Sequence, residues 1–76
     1  MTNDSPKRLG DALTPREREI INTLCQGHCN KMIARLLNIR EGTVKVHLNN
    51  IYTKLGVANR TALALLAVAT FLGERQ

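Results

Sequence analysis

Helix-capping and helix-ending residues divide this chain at intervals that leave room for short helices and little else. Thr14-Pro15-Arg16-Glu17 has the form of a capping box. The threonine hydroxyl accepts from the backbone three residues on, the glutamate there reaches back, and the proline sits where its missing N–H costs nothing. Gly27, Asn38 and Gly56 stand where a left-handed residue ends a helix. Asn30 and Asn59 stand where a side-chain carbonyl begins one. The spacing predicts helices over about 15–26, 31–37, 41–55 and 60–72.

The apolar pattern agrees with those boundaries. Ile20, Ile21, Leu24 and Cys25 share one face of the first segment, and Ile33, Ala34, Leu36 and Leu37 form the expected buried side of the second. Val44, Leu48, Ile51 and Leu55 make a narrow stripe on the third, while Leu63, Leu66, Ala67 and Thr70 share an arc of the fourth. Nothing alternates at period two, so strands are not expected. The fold class is all-α: a compact four-helix bundle containing a helix-turn-helix. Residues 13–73 form its domain, with 1–12 a polar, flexible leader or linker and 74–76 a short tail.

A 76-residue chain is near the lower limit for one self-sufficient core, which argues against an enzyme with a buried multi-residue site. No cofactor is expected. The longest apolar run, Ala62 to Ala69, has eight residues where a membrane span needs about 20. Cys25 and Cys29 lie too close in sequence to staple much, and with His28 and His47 they lack the paired spacing of a zinc site. The expectation is a buried Cys25, an exposed Cys29, no metal, and thiols kept reduced in a cytoplasm.

Charge points further. The net charge is +5, and all of it falls between Asn30 and Arg60, where Lys31, Arg35, Arg40, Lys45, Lys54 and Arg60 face Glu41 alone. A small basic domain suits nucleic acid or another anionic surface. The arc of the third helix opposite its apolar stripe carries Gly42, Lys45, Val46, Asn49, Asn50 and Thr53. An indifferent solvated face would mix carboxylates with lysines; this one offers a cation, short amides and one apolar group. Lysine donates to guanine, asparagine pairs with adenine, and valine meets a thymine methyl. The helix starts near Asn30 and Glu41 would offer their free N–H groups to phosphates.

Leu13-Thr14-Pro15-Arg16-Glu17-Arg18-Glu19, Asn30-Lys31-Met32-Ile33-Ala34, Thr43-Val44-Lys45-Val46-His47, Lys54-Leu55-Gly56-Val57 and Asn59-Arg60 together resemble the LuxR-type DNA-binding domain. Within that family the chain is most similar to the C-terminal effector domains of NarL/FixJ response regulators, over about residues 13–70. The resemblance implies a bacterial, nucleoid-associated transcription regulator of the two-component type. It implies a third helix in the major groove of double-stranded DNA and a fourth helix that makes a homodimer on that DNA. It implies base contacts by Lys45, Val46 and Asn49, and phosphate contacts near Asn30, Lys31, Thr43 and His47, with Lys45 close to phosphate as well. Arg40 replaces the Ser or Thr that many relatives use to cap the third helix; it cannot cap, but its charge suits a phosphate. Asn49 stands where close relatives carry Lys, which bears on the sequence read rather than on the docking.

The fourth helix has almost no polar side. Leu65, Val68, Ala69 and Leu72 form a second stripe opposite the first, and a surface helix should not leave it bare. A second copy on DNA is the expected cover. The alternative is a helical adaptor that contacts RNA polymerase or another regulator through this stripe. A sigma-factor-like helix-turn-helix fits the Gly56 and Asn59-Arg60 blocks less well.

Overall fold

The computed structural model describes residues 13–72, and side chains through Thr70. The leader assigned to 1–12 and the tail at 74–76 lie outside the described residues. Four α-helices follow in order: α1 (Pro15–Cys25), α2 (Asn30–Leu37), α3 (Glu41–Leu55) and α4 (Arg60–Ala67). A single wide π turn, Val68–Leu72, continues α4. The described residues contain no strand, so the all-α bundle stands. What reads as one helix to Leu72 is an α-helix that widens after Ala67.

The caps explain the boundaries. Thr14 and Glu17 form the reciprocal capping box, with Pro15 at the first helical position. The Asn59 side chain accepts the Ala62 N–H at 2.9 Å to start α4. Asn38 (φ 58°) and Gly56 (φ 68°) end α2 and α3 in the left-handed region, and Gly27 (φ 95°) turns the chain after α1. Ile39 N–H then bonds back to the Ala34 carbonyl at 2.9 Å, which closes α2 and sets the tight turn into α3.

α1 packs against the other three helices, and α2 lies chiefly on α3. Ile20, Ile21, Ile33, Val44, Ile51 and Leu63 are fully buried. Each contributes about 1.5–3 kcal/mol by leaving water. Leu13, Leu24, Ala34, Leu48 and Ala67 complete the core, and Leu37, Tyr52 and Leu55 pack at its margin.

Three packing expectations need correction. Leu36 is 55% exposed. Its direction lies about 100° from the centre of the Ile33, Ala34 and Leu37 face, beyond the reach of α1 and α3. Cys25 is exposed, because the buried face of α1 continues to Thr23 instead. Thr23 tolerates burial since its hydroxyl donates to the Glu19 carbonyl at 2.7 Å. Asn30 does not cap α2: Cys29 holds the cap position, with no side-chain hydrogen bond, and Asn30 is the first helical residue.

Candidate nucleic-acid interface

α2, the Asn38–Arg40 turn and α3 form the helix-turn-helix. The core stripe of α3 is Val44, Leu48 and Ile51, all buried. Locking these three into the bundle turns the opposite face out. Gly42, Thr43, Lys45, Val46, Asn49, Asn50 and Thr53 are exposed, and His47 is half-buried at the border. Val46, at 58% exposure, is the one apolar residue in that polar field. The Thr53 hydroxyl donates to the Asn49 carbonyl at 3.1 Å, so it is already engaged along the helix. The Asn49 amide has no partner among the described residues and keeps both its donor and its acceptor.

The ends of the helices differ in a way that matters. α1 and α4 are capped by side chains. α2 and α3 are not: neither Cys29 nor Arg40 makes a side-chain cap bond. The two helices of the helix-turn-helix therefore start with backbone N–H groups that no side chain satisfies, at the positive ends of their dipoles.

Charge on this surface comes from Lys31, Arg35, Arg40 and Lys45, all exposed, against the exposed Glu41. Among the described residues none of these four cations has an ion-pair partner. The other two cations of the middle segment, Lys54 and Arg60, are tied to partners on other parts of the bundle, which the sequence does not show. Lys54 Nζ donates to Glu17 Oε1 at 2.8 Å, joining the last turn of α3 to the first turn of α1. Burial alone would raise the Glu17 pKa, but Lys54 and the Thr14 N–H hold it below the usual carboxylate value. Arg60 donates from Nη1 to Asn30 Oδ1 at 2.9 Å and from Nη2 to the His28 carbonyl. Both pairs cross thirty or more residues of sequence, so no local pattern announces them.

The residues expected at the interface fall into three groups. Lys45, Val46 and Asn49 share the open face of α3, with Arg40 and Thr43 at its start. Lys31 is exposed at the start of α2, while Asn30 and His47 are half-buried. Leu65 (68% exposed), Val68 (47%) and Ala69 lie bare on α4 and the turn after it. The Leu72 side chain lies outside those described. Among the described residues no three His, Cys, Asp or Glu side chains gather as metal ligands would. No helix among them is long and apolar enough to cross a membrane.

A short helix, a three-residue turn and a longer helix with a basic, amide-rich open face define a helix-turn-helix domain of the kind that docks on duplex DNA. The chain belongs to the luxR family of bacterial regulatory proteins, whose model matches residues 11–67. It is a LuxR-type DNA-binding domain of transcriptional regulators, which is not an enzyme class. The match ends at the last α-helical residue of α4, so the π turn lies beyond it.

Curated relatives agree. The chain is 50% identical over 63 residues to the nitrate/nitrite response regulator protein NarP of Escherichia coli K12, covering 83% of this chain and 27% of NarP. It is 49% identical over 55 residues to the putative HTH-type transcriptional regulator YhjB of the same organism, covering 72% and 28%. To the probable transcriptional regulatory protein SgaR of Hyphomicrobium methylovorum it is 46% identical over 66 residues, covering 87% and 31%. The chain thus spans between a quarter and a third of the length of these relatives.

Proposed function

We propose that this chain is the sequence-reading effector domain of a bacterial response regulator, with α3 in the major groove and two copies paired through α4. Residues 13–73 are the domain, 1–12 a leader or linker and 74–76 a tail. Lys45, Val46 and Asn49 meet base edges, with Lys45 close to phosphate as well. Asn30, Lys31, Arg40, Thr43 and His47 meet phosphates, together with the uncapped starts of α2 and α3. The observation that carries this reading is the open face of α3. Burying Val44, Leu48 and Ile51 leaves a cation, a free amide and an isolated valine side by side, the types that guanine, adenine and thymine accept.

Leu65, Val68, Ala69 and Leu72 supply the self-complementary stripe of a two-fold dimer. Such a pair sets its recognition helices about 34 Å apart, one turn of DNA. The site of action is the nucleoid in the cytoplasm. RNA polymerase is a candidate further partner of the DNA-bound pair. The bare Leu65 also supports a second reading, in which α4 docks on RNA polymerase or another regulator and α3 does not enter the groove. Replacing Lys45 with Ala separates the two. Groove docking predicts that affinity for duplex DNA falls at least about fivefold. It also predicts that the salt dependence of binding loses about one counterion. Unchanged affinity and slope would remove α3 from the groove.

A further inference from the structure

Arg60 is the first residue of α4, yet both of its partners belong to the approach to α2. One guanidinium nitrogen binds the His28 carbonyl in the α1–α2 turn, and the other binds the side-chain oxygen of Asn30. A guanidinium only donates, so the amide must turn its oxygen toward Arg60. The end that remains is the Nδ2 donor, and phosphate oxygens only accept. Asn30 also opens an α2 that has no side-chain cap, beside the exposed Lys31.

We propose that Arg60 is a positioning residue for DNA binding. It fixes the amide of Asn30 with its donor end available and holds the start of α2 in place, without touching DNA itself. The inference rests on the docking proposed above. It also reassigns Arg60, one of the six cations of the basic middle segment, from the DNA surface to the frame behind it. A neutral contact made through Asn30 releases no counterion, so removing Arg60 weakens binding without changing its salt dependence.

The test titrates the 76-residue chain against a random-sequence duplex about three helical turns long, well below the melting temperature. It compares Arg60→Ala, Asn30→Ala, the double variant and Lys45→Ala at several salt concentrations. Arg60→Ala should weaken binding about fivefold, the scale of one neutral hydrogen bond, with an unchanged salt slope. In the Asn30→Ala background the same change should alter affinity by less than about twofold. A slope smaller by about one would make Arg60 a phosphate ligand and overturn the proposal. Independent, multiplying losses would overturn it as well.

Asn30→Asp covers the case in which Arg60→Ala fails to fold. It keeps an acceptor for Arg60 and suits the positive start of α2, so melting should hold or rise. Without the donor, DNA affinity should fall; wild-type affinity would refute the role of the amide. The Lys45→Ala arm separates the two levels of the argument. If it has no effect, the docking itself is wrong. If it weakens binding while the Arg60 and Asn30 variants do not, only the positioning role fails.

Discussion

Replacing Lys54 with Met tests how α3 is held on the bundle. Glu17 is 3% exposed, yet it carries a charge. Its Oε1 accepts from the Thr14 N–H at 2.9 Å and from Lys54 Nζ at 2.8 Å. Removing one partner of a fully buried pair costs about 3–5 kcal/mol, and a hydrogen bond to a charged group contributes about 1.5–3 kcal/mol. The Lys54 side chain keeps 35% of its exposure, so solvent screening favours the lower range. The loss at pH 7 should be ~2 kcal/mol. For a domain of this size that lowers Tm by roughly 8–16 °C.

The pH dependence supplies the sharper check. In the wild-type chain the folded pKa of Glu17 is lowered. Its contribution is therefore present above the unfolded value, about 4.3, and is lost as pH falls through the lower folded value. In Lys54→Met the lowering by Lys54 is lost and the folded pKa rises relative to the wild type, so protonation costs the variant less. Urea unfolding of both proteins should show stability curves that converge between pH 7 and pH 3, roughly the span over which carboxylates protonate. A gap below about 0.5 kcal/mol at pH 7, or one that stays constant as pH falls, would refute this account of the pair. Glu17→Gln retains an acceptor for the Thr14 N–H and leaves no buried charge, so it should cost about 1 kcal/mol.

Two further substitutions probe the surface. Arg40 holds the cap position of α3 in an extended backbone that suits a serine (φ −82°, ψ 152°). Arg40→Ser should add about 1 kcal/mol of stability, or about 4–8 °C in Tm, while the salt slope of DNA binding drops by about one. Melting that is unchanged or lower would count against the missing cap. Leu65→Asp should leave monomer stability within about 0.5 kcal/mol, since Leu65 is 68% exposed. Sedimentation on DNA should then show single copies where the wild type pairs; persistent pairs would place the dimer contact elsewhere.

Most of the frame was legible because its signals are local. The Thr14 capping box, the Asn59 cap and the left-handed Gly27, Asn38 and Gly56 all act within one or two turns of themselves, and each stands where the sequence puts it. The α3 stripe was equally readable, and with it the identity of the open face. What escaped depends on contacts distant in sequence. Asn30 has the chemistry of a cap, but Arg60, thirty residues on, takes its oxygen. Lys54 looks like one more surface cation until α1 brings Glu17 beneath it. Leu36 and Cys25 are apolar and close to the buried stripes, yet both are exposed because short helices bury a narrower arc than their composition suggests. Buried Glu17 and Thr23 show the converse: polarity does not forbid burial where a partner lies within reach.

The central claim is that α3 reads base pairs as one half of a two-fold pair. Selection of bound sequences from random duplex DNA, repeated at rising salt, tests it directly. The account predicts salt-sensitive binding and enrichment of a paired motif with half-sites about one helical turn, roughly 10 base pairs, apart. Salt-sensitive binding with no enriched motif would deny the readout by Lys45, Val46 and Asn49. An absence of binding at low salt would overturn the groove docking altogether and leave the bare stripe of α4 as a protein contact.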